Sequence, residues 1–91
     1  MLVIFRTRSD DWERFRSTLH DNLDRIHALG CTRLEAYRNR KHPDEWVMMQ
    51  TWPDKASFDE FAKETGPELD RKSGVRCFSA VLLDRQPYLD Q

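Results

Sequence analysis

From Trp12 to Leu29 the apolar residues recur at helical spacing, as Trp12, Phe15, Leu19, Leu23, Ile26 and Leu29, which makes one stripe along an amphipathic helix. The flanking stretches are short and extended in pattern, so the chain must begin strand, helix, strand. Leu2 to Arg8 opens with aliphatic and aromatic residues and runs into the N-cap types Ser9, Asp10 and Asp11, which reads as a first strand. Asp10 and Glu13 have capping-box spacing, and Gly30 suits the residue that closes a helix. From Cys31 to Arg38 the chain alternates, with Arg33, Glu35 and Tyr37 on one side and Thr32, Leu34 and Ala36 on the other. That alternation predicts a second strand.

Asn39 to Asp44 has turn composition and joins this strand to the apolar run Glu45 to Trp52, so strands two and three read as a hairpin. Pro53-Asp54 breaks the third strand and offers Asp54 as the N-cap of a second helix carrying Ala56, Phe58, Phe61 and Ala62. Gly66-Pro67 ends or interrupts that helix, with Leu69 placed to extend it by a turn. Gly74 then opens a last strand, Val75 to Leu83, and a polar tail follows over 84–91. The order β-α-β-β-α-β is the split βαβ, ferredoxin-like arrangement of α+β domains. Right-handed crossovers put both helices on one face of a four-stranded antiparallel sheet, with strands two and four at opposite edges.

Strands one, three and four carry apolar residues on both parities, for example Leu2 and Ile4 against Val3 and Phe5. One face meets the helices, and the other needs a cover. Parity alone leaves open which face is which. A second copy of the sheet is the economical cover, giving a homodimer. At 91 residues the chain reads as one domain, 1–91, small enough to gain from burying surface against a partner. Lys plus Arg total 15 against 16 Asp plus Glu, with no basic cluster, which argues against nucleic acid as ligand. The sequence has no run of the roughly 20 apolar residues a membrane helix needs, so a cytoplasmic protein without membrane contact is expected. Cys31 and Cys77 lack zinc-ligand spacing and are expected to be reduced, buried apolar side chains.

Three stretches together resemble one family: Gly30-Cys31 through Glu35-Ala36-Tyr37-Arg38, then Pro43 through Trp52, then Asp54-Lys55-Ala56-Ser57-Phe58. A glycine closing helix one, an aromatic-bearing second strand, and a third strand ending in tryptophan before an acidic helix are similar to the antibiotic biosynthesis monooxygenases. The resemblance implies a dimeric α/β barrel with an apolar cleft between sheet and helices. It implies cofactor-independent oxidation of an aromatic, polycyclic or readily deprotonated small molecule, in which the deprotonated substrate supplies electrons to dioxygen. Family members commonly carry Glu two residues before that tryptophan, where this chain has Gln50. Haem-degrading relatives place an Asn on strand one and a His near the end of helix two. Leu2 to Arg8 has no Asn and Phe58 to Lys72 has no His, so no haem, and no other cofactor, is expected.

On this reading Trp52 and Tyr37 are the catalytic candidates, the first as an indole N–H donor to a substrate oxygen, the second as a phenol for proton transfer. Phe5, Trp46, Met48, Gln50, Phe58 and Phe61 are the expected substrate-binding side chains. Trp46, Met48, Gln50 and Trp52 share one face of strand three, an aromatic and thioether wall with one amide in it. His20, Asp24 and His27 recur along helix one beside the apolar stripe, and His42 lies in the hairpin turn. All are expected on the solvated surface, with no metal site. A non-catalytic, ligand-binding or stress-related dimeric barrel is the competing function, and an isomerase or lyase on the same scaffold would require an acid/base pair that the sequence does not display.

Overall fold

A computed structural model describes residues 1–87 of the chain. Strand β1 spans Leu2–Arg8, helix α1 Trp12–Ala28, strand β2 Arg33–Arg38 and strand β3 Glu45–Thr51. Helix α2, Lys55–Glu60, runs through a π-helical turn, Phe61–Thr65, into helix α3, Gly66–Ser73, and strand β4, Arg76–Leu83, completes the order. The sheet is antiparallel with strand order β2-β3-β1-β4, so the two edge strands fall where the split βαβ reading puts them. Residues 88–91 of the expected tail lie outside the described residues.

Local chemistry sets the helix ends. The α1 cap is Asp11 rather than Asp10: its carboxylate accepts the Arg14 N–H at 3.0 Å, while Ser9 Oγ accepts the N–H of Asp11 itself at 3.2 Å. The helix starts one residue later than that spacing suggests, and with Arg14 three residues beyond the cap no capping box forms. Asp54 caps α2 as its spacing predicts, accepting the Ser57 N–H at 2.8 Å. Gly66-Pro67 does not stop the second helix. Proline has no N–H for the usual acceptor and its ring crowds the carbonyl four residues back. The backbone widens instead, and Gly66 N–H reaches Phe61 O, five residues back. Gly74 then closes α3 at φ 74°, the left-handed region that glycine enters without strain.

Register shows which residues share a face. Val3 pairs Gln50 and Phe5 pairs Met48, and with Val3, Met48 and Gln50 buried this is the face that α1 and α3 cover. The opposite face carries Leu2, Ile4, Val47 and Met49 with Tyr37, Val81 and Leu83, the last three among the exposed large hydrophobics. An irregularity in β4 falls between the pairs Arg6↔Ser79 and Thr7↔Cys77, leaving Phe78 as the extra residue of a bulge. Simple alternation groups Phe78 with Ala80 and Leu82. The bulge moves it to the opposite face, where the guanidinium groups of Arg6 and Arg8 lie 4.9 and 5.2 Å from its ring. Cys77 is exposed, contrary to the expectation of burial, while Cys31 is buried.

Helices α1 and α3 are tied by Glu68, which accepts from Arg25 at 2.8 Å and from Lys72 at 3.0 Å. Those two cations, Arg25 first, draw its carboxyl from 4.5 down to about 2. A depressed carboxylate contributes stability above its unfolded value and loses it as pH falls through the folded one. Urea unfolding midpoints should therefore drop between about pH 4.5 and 2, and Glu68→Gln should flatten that drop; an unchanged pH dependence in the variant would show that this tie contributes nothing.

Candidate active site

The sheet and helices enclose a cavity of about 140 Å³. Its floor is Phe5, Thr7, Met48 and Gln50 from the sheet; α1 contributes Phe15, Thr18, Leu19 and Ile26; the π turn and α3 contribute Phe61, Ala62, Leu69, Asp70 and Ser73. The π turn brings Phe61 and Ala62 into the cavity lining, and π-helical turns recur at functional sites. Val75 and Cys77 line the side toward β4. With Ile26 at 0% and Gln50 at 1% exposure, the Gln50 end is deep. Exposed Cys77 and partly buried Asp70 mark the mouth.

Gln50 is the polar feature of the interior. Trp52 Nε1 donates to its Oε1 at 2.9 Å, and because an indole N–H can only donate, the atom it meets must be the oxygen. The amide nitrogen therefore points the other way. Among the described residues it meets no acceptor, and no side-chain nitrogen or oxygen is both shut off from solvent and unpartnered. Its N–H groups thus reach the open space of the cavity that Gln50 lines. Both threonine hydroxyls in the wall are already engaged: Thr7 Oγ1 donates to the Trp46 carbonyl at 3.0 Å and Thr18 Oγ1 to the Arg14 carbonyl at 2.8 Å.

Of the residues singled out from sequence, Phe5, Met48, Gln50 and Phe61 line the cavity together. Trp52 and Phe58 stand behind the lining. Trp52 is 1% exposed, its ring centroid 5.0 Å from that of Phe61 and 5.9 Å from that of Phe58, and its one donor is taken by Gln50. It positions the amide and does not itself reach the open space. Trp46 faces the helices farther along β3, stacked on Trp12 at 3.8 Å with Arg38 over its ring at 5.3 Å, outside the cavity wall. Tyr37 is not brought to this cavity. It lies on the opposite sheet face, half exposed, with its hydroxyl donating to Glu35. That hydrogen bond holds the phenol above its ordinary pKa and the carboxyl of Glu35 below its own. A phenol held protonated across the sheet cannot exchange protons with a ligand in this cavity.

Sequence reasoning missed the contributions of α1 and α3, above all Asp70. Burial raises the Asp70 carboxyl, and burial first, with Asp70 as a lesser cause, raises the Cys77 thiol. Asp70 follows the apolar Leu69 one turn beyond Gly66, a signal visible only if the helix is carried through the Gly-Pro pair.

The sequence model of the antibiotic biosynthesis monooxygenases matches residues 1–66. The chain belongs to the antibiotic biosynthesis monooxygenase family. Solved structures agree on the fold. SnoaB, a cofactor-independent oxygenase from Streptomyces nogalater, superposes with a TM-score of 0.64 at 15% identity, covering 93% of each chain. A crystal structure of an antibiotic biosynthesis monooxygenase gives a TM-score of 0.60 at 18% identity over 96% of this chain and all of the other. Rv0793 from Mycobacterium tuberculosis gives 0.64 at 11% identity over 93% and 96%. No curated protein sequence matches the chain. At these identities the structural likeness is one of fold, and the activity must be argued from the cavity.

Proposed function

We propose that this family member is a cofactor-independent monooxygenase, acting on an aromatic or otherwise readily deprotonated small molecule held between the sheet and the helices. The observation that carries the proposal is the apolar cavity lined by the amide of Gln50, whose oxygen is held by Trp52 and whose nitrogen meets no acceptor among the described residues. Oxidation of a phenol by dioxygen needs an anion, a dry pocket and donors where charge collects. In the balanced reaction a ring C–H and the phenolic O–H are lost, one oxygen atom becomes the second quinone oxygen, and the other leaves as water. The substrate supplies all the electrons, so the protein's part is to bind, orient, deprotonate and exclude water.

Size narrows the substrate. A cavity of roughly 150 Å³ lined by apolar side chains holds a benzene ring, and this one, at about 140 Å³, encloses one ring while further rings extend through the mouth. The chain acts as a homodimer in this proposal, because its uncovered sheet face presents Tyr37, Phe78, Val81 and Leu83 at 41–50% exposure, surface that a second sheet would bury. Among the described residues no helix is long and apolar enough to cross a membrane.

The test is oxygen uptake with hydroxylated aromatics of one to three rings, with labelled dioxygen to follow the incorporated atom. Expected is a quinone carrying one labelled oxygen. Binding of the same compounds without oxygen consumption would remove the enzymatic reading in favour of a ligand-binding barrel.

A further inference from the structure

The cavity wall contains two titratable side chains, Asp70 and Cys77. The Cys77 thiol points to the Ser79 carbonyl at 3.4 Å, and partial desolvation raises it further above the carboxylate range. Asp70 is the one carboxylate in the wall, and among the described residues its side chain makes no hydrogen bond or ion pair. Its backbone is fixed, since its carbonyl accepts the Gly74 N–H at 3.0 Å and the Ser73 hydroxyl at 3.3 Å in the last turn of α3.

The surrounding charges are committed elsewhere. Arg14 from α1 donates to the Lys72 and Arg71 carbonyls at 2.7 and 3.1 Å, Arg25 and Lys72 are bound to Glu68, and Arg71 is exposed. Lys63 and Glu64 of the π turn are also exposed. A carboxylate left unpaired and partly buried against an apolar space is a better proton acceptor than an ordinary one.

We infer that Asp70 is the catalytic base of this site, taking the hydroxyl proton of an aromatic ligand whose opposite end carries an acceptor oxygen for the Gln50 amide. In this step the substrate O–H bond breaks, its electron pair stays on the substrate oxygen, and the proton moves to an Asp70 carboxylate oxygen at the mouth, where water can remove it. The assignment rests on the monooxygenase reading above and adds a ligand polarity to it: hydroxyl outward, carbonyl or equivalent oxygen inward.

The experiment compares wild type, Asp70→Asn and Asp70→Glu as full-length protein. It follows oxygen uptake against pH with the best phenol of the panel, and binding of para-hydroxyacetophenone by tryptophan fluorescence. Wild-type turnover should rise with pH along an acid limb whose midpoint lies above that of an ordinary aspartate. Asp70→Asn should lose that limb and about 100-fold or more in rate while still binding the probe, and Asp70→Glu should recover part of both. A raised carboxyl costs stability as pH climbs above its unfolded value, so Asp70→Asn should be no less heat-stable at neutral pH than wild type. Wild-type rates with an intact acid limb in Asp70→Asn would overturn the assignment and leave the oxygenase reading standing. Probe binding by a wild type that consumes no oxygen with any phenol would overturn both.

Discussion

Replacing Trp52 with alanine is expected to destabilise the fold by about 3 to 5 kcal/mol, measured as the loss of unfolding free energy in urea. The side chain is 1% exposed and contacts the rings of Phe58 and Phe61, so truncation leaves a void between β3 and the second helix that neighbours on two rigid elements fill poorly. The backbone around it is also anchored, with the Trp52 N–H donating to the Met1 carbonyl at 2.9 Å and bridging the ends of β3 and β1. For a domain whose total stability is about 5 to 15 kcal/mol, such a loss takes a large share of the folded population. Trp52→Phe separates the two contributions of this residue. It keeps most of the ring and removes the N–H, so it should cost about 1 to 2 kcal/mol while releasing the Gln50 amide to rotate. A cost below about 1 kcal/mol for the alanine variant would mean that the tryptophan does not close this core.

The difference between Trp52 as a supporting residue and Trp52 as a ligand donor shows how much the sequence carries. The strand, helix, strand, strand, helix, strand order follows from periodicity and from Gly30, Pro53-Asp54 and Gly74, and β1 spans the residues its composition predicts. The face of each strand did not follow, because Leu2, Ile4, Val47 and Met49 are as apolar as Val3, Phe5 and Met48. Only the register pairs and the helix contacts decide between them, and that decision sends Tyr37 to one face and Gln50 to the other. Alternation misplaces Phe78 for a related reason: it assumes an unbroken ladder, and one bulge reverses it. The cavity lining supplied by Phe15, Leu19, Ile26 and Asp70 depends on how α1 and α3 lie over the sheet, which is a tertiary property. The glycine and proline that interrupt the helical pattern further hid Asp70, since a π turn absorbs a proline that normally ends a helix.

Gln50 offers the sharpest test of the site, because its two amide ends do different things. Gln50→Leu keeps the volume, leaves the Trp52 N–H without its acceptor, and removes the donor from the cavity. The unpartnered indole should cost about 1 to 3 kcal/mol of stability. Affinity for para-hydroxyacetophenone should fall roughly 10- to 100-fold, as the loss of a buried hydrogen bond to a polarised oxygen implies. Gln50→Glu separates donor from acceptor. Its carboxylate can still accept from Trp52, yet when ionised it offers no N–H or O–H to the ligand. Set against the apolar wall of Phe5, Met48 and Phe61, the new carboxyl should be raised above its unfolded value, so this variant loses stability as pH rises beyond about 4.3. Protonated, it donates an O–H to the probe's carbonyl oxygen; ionised, it repels that oxygen. Probe affinity in Gln50→Glu should therefore decline with rising pH over a range where wild-type affinity is flat. If both variants bind the probe as wild type does at every pH, the ligand oxygen does not meet position 50, and the buried amide serves only to hold Trp52.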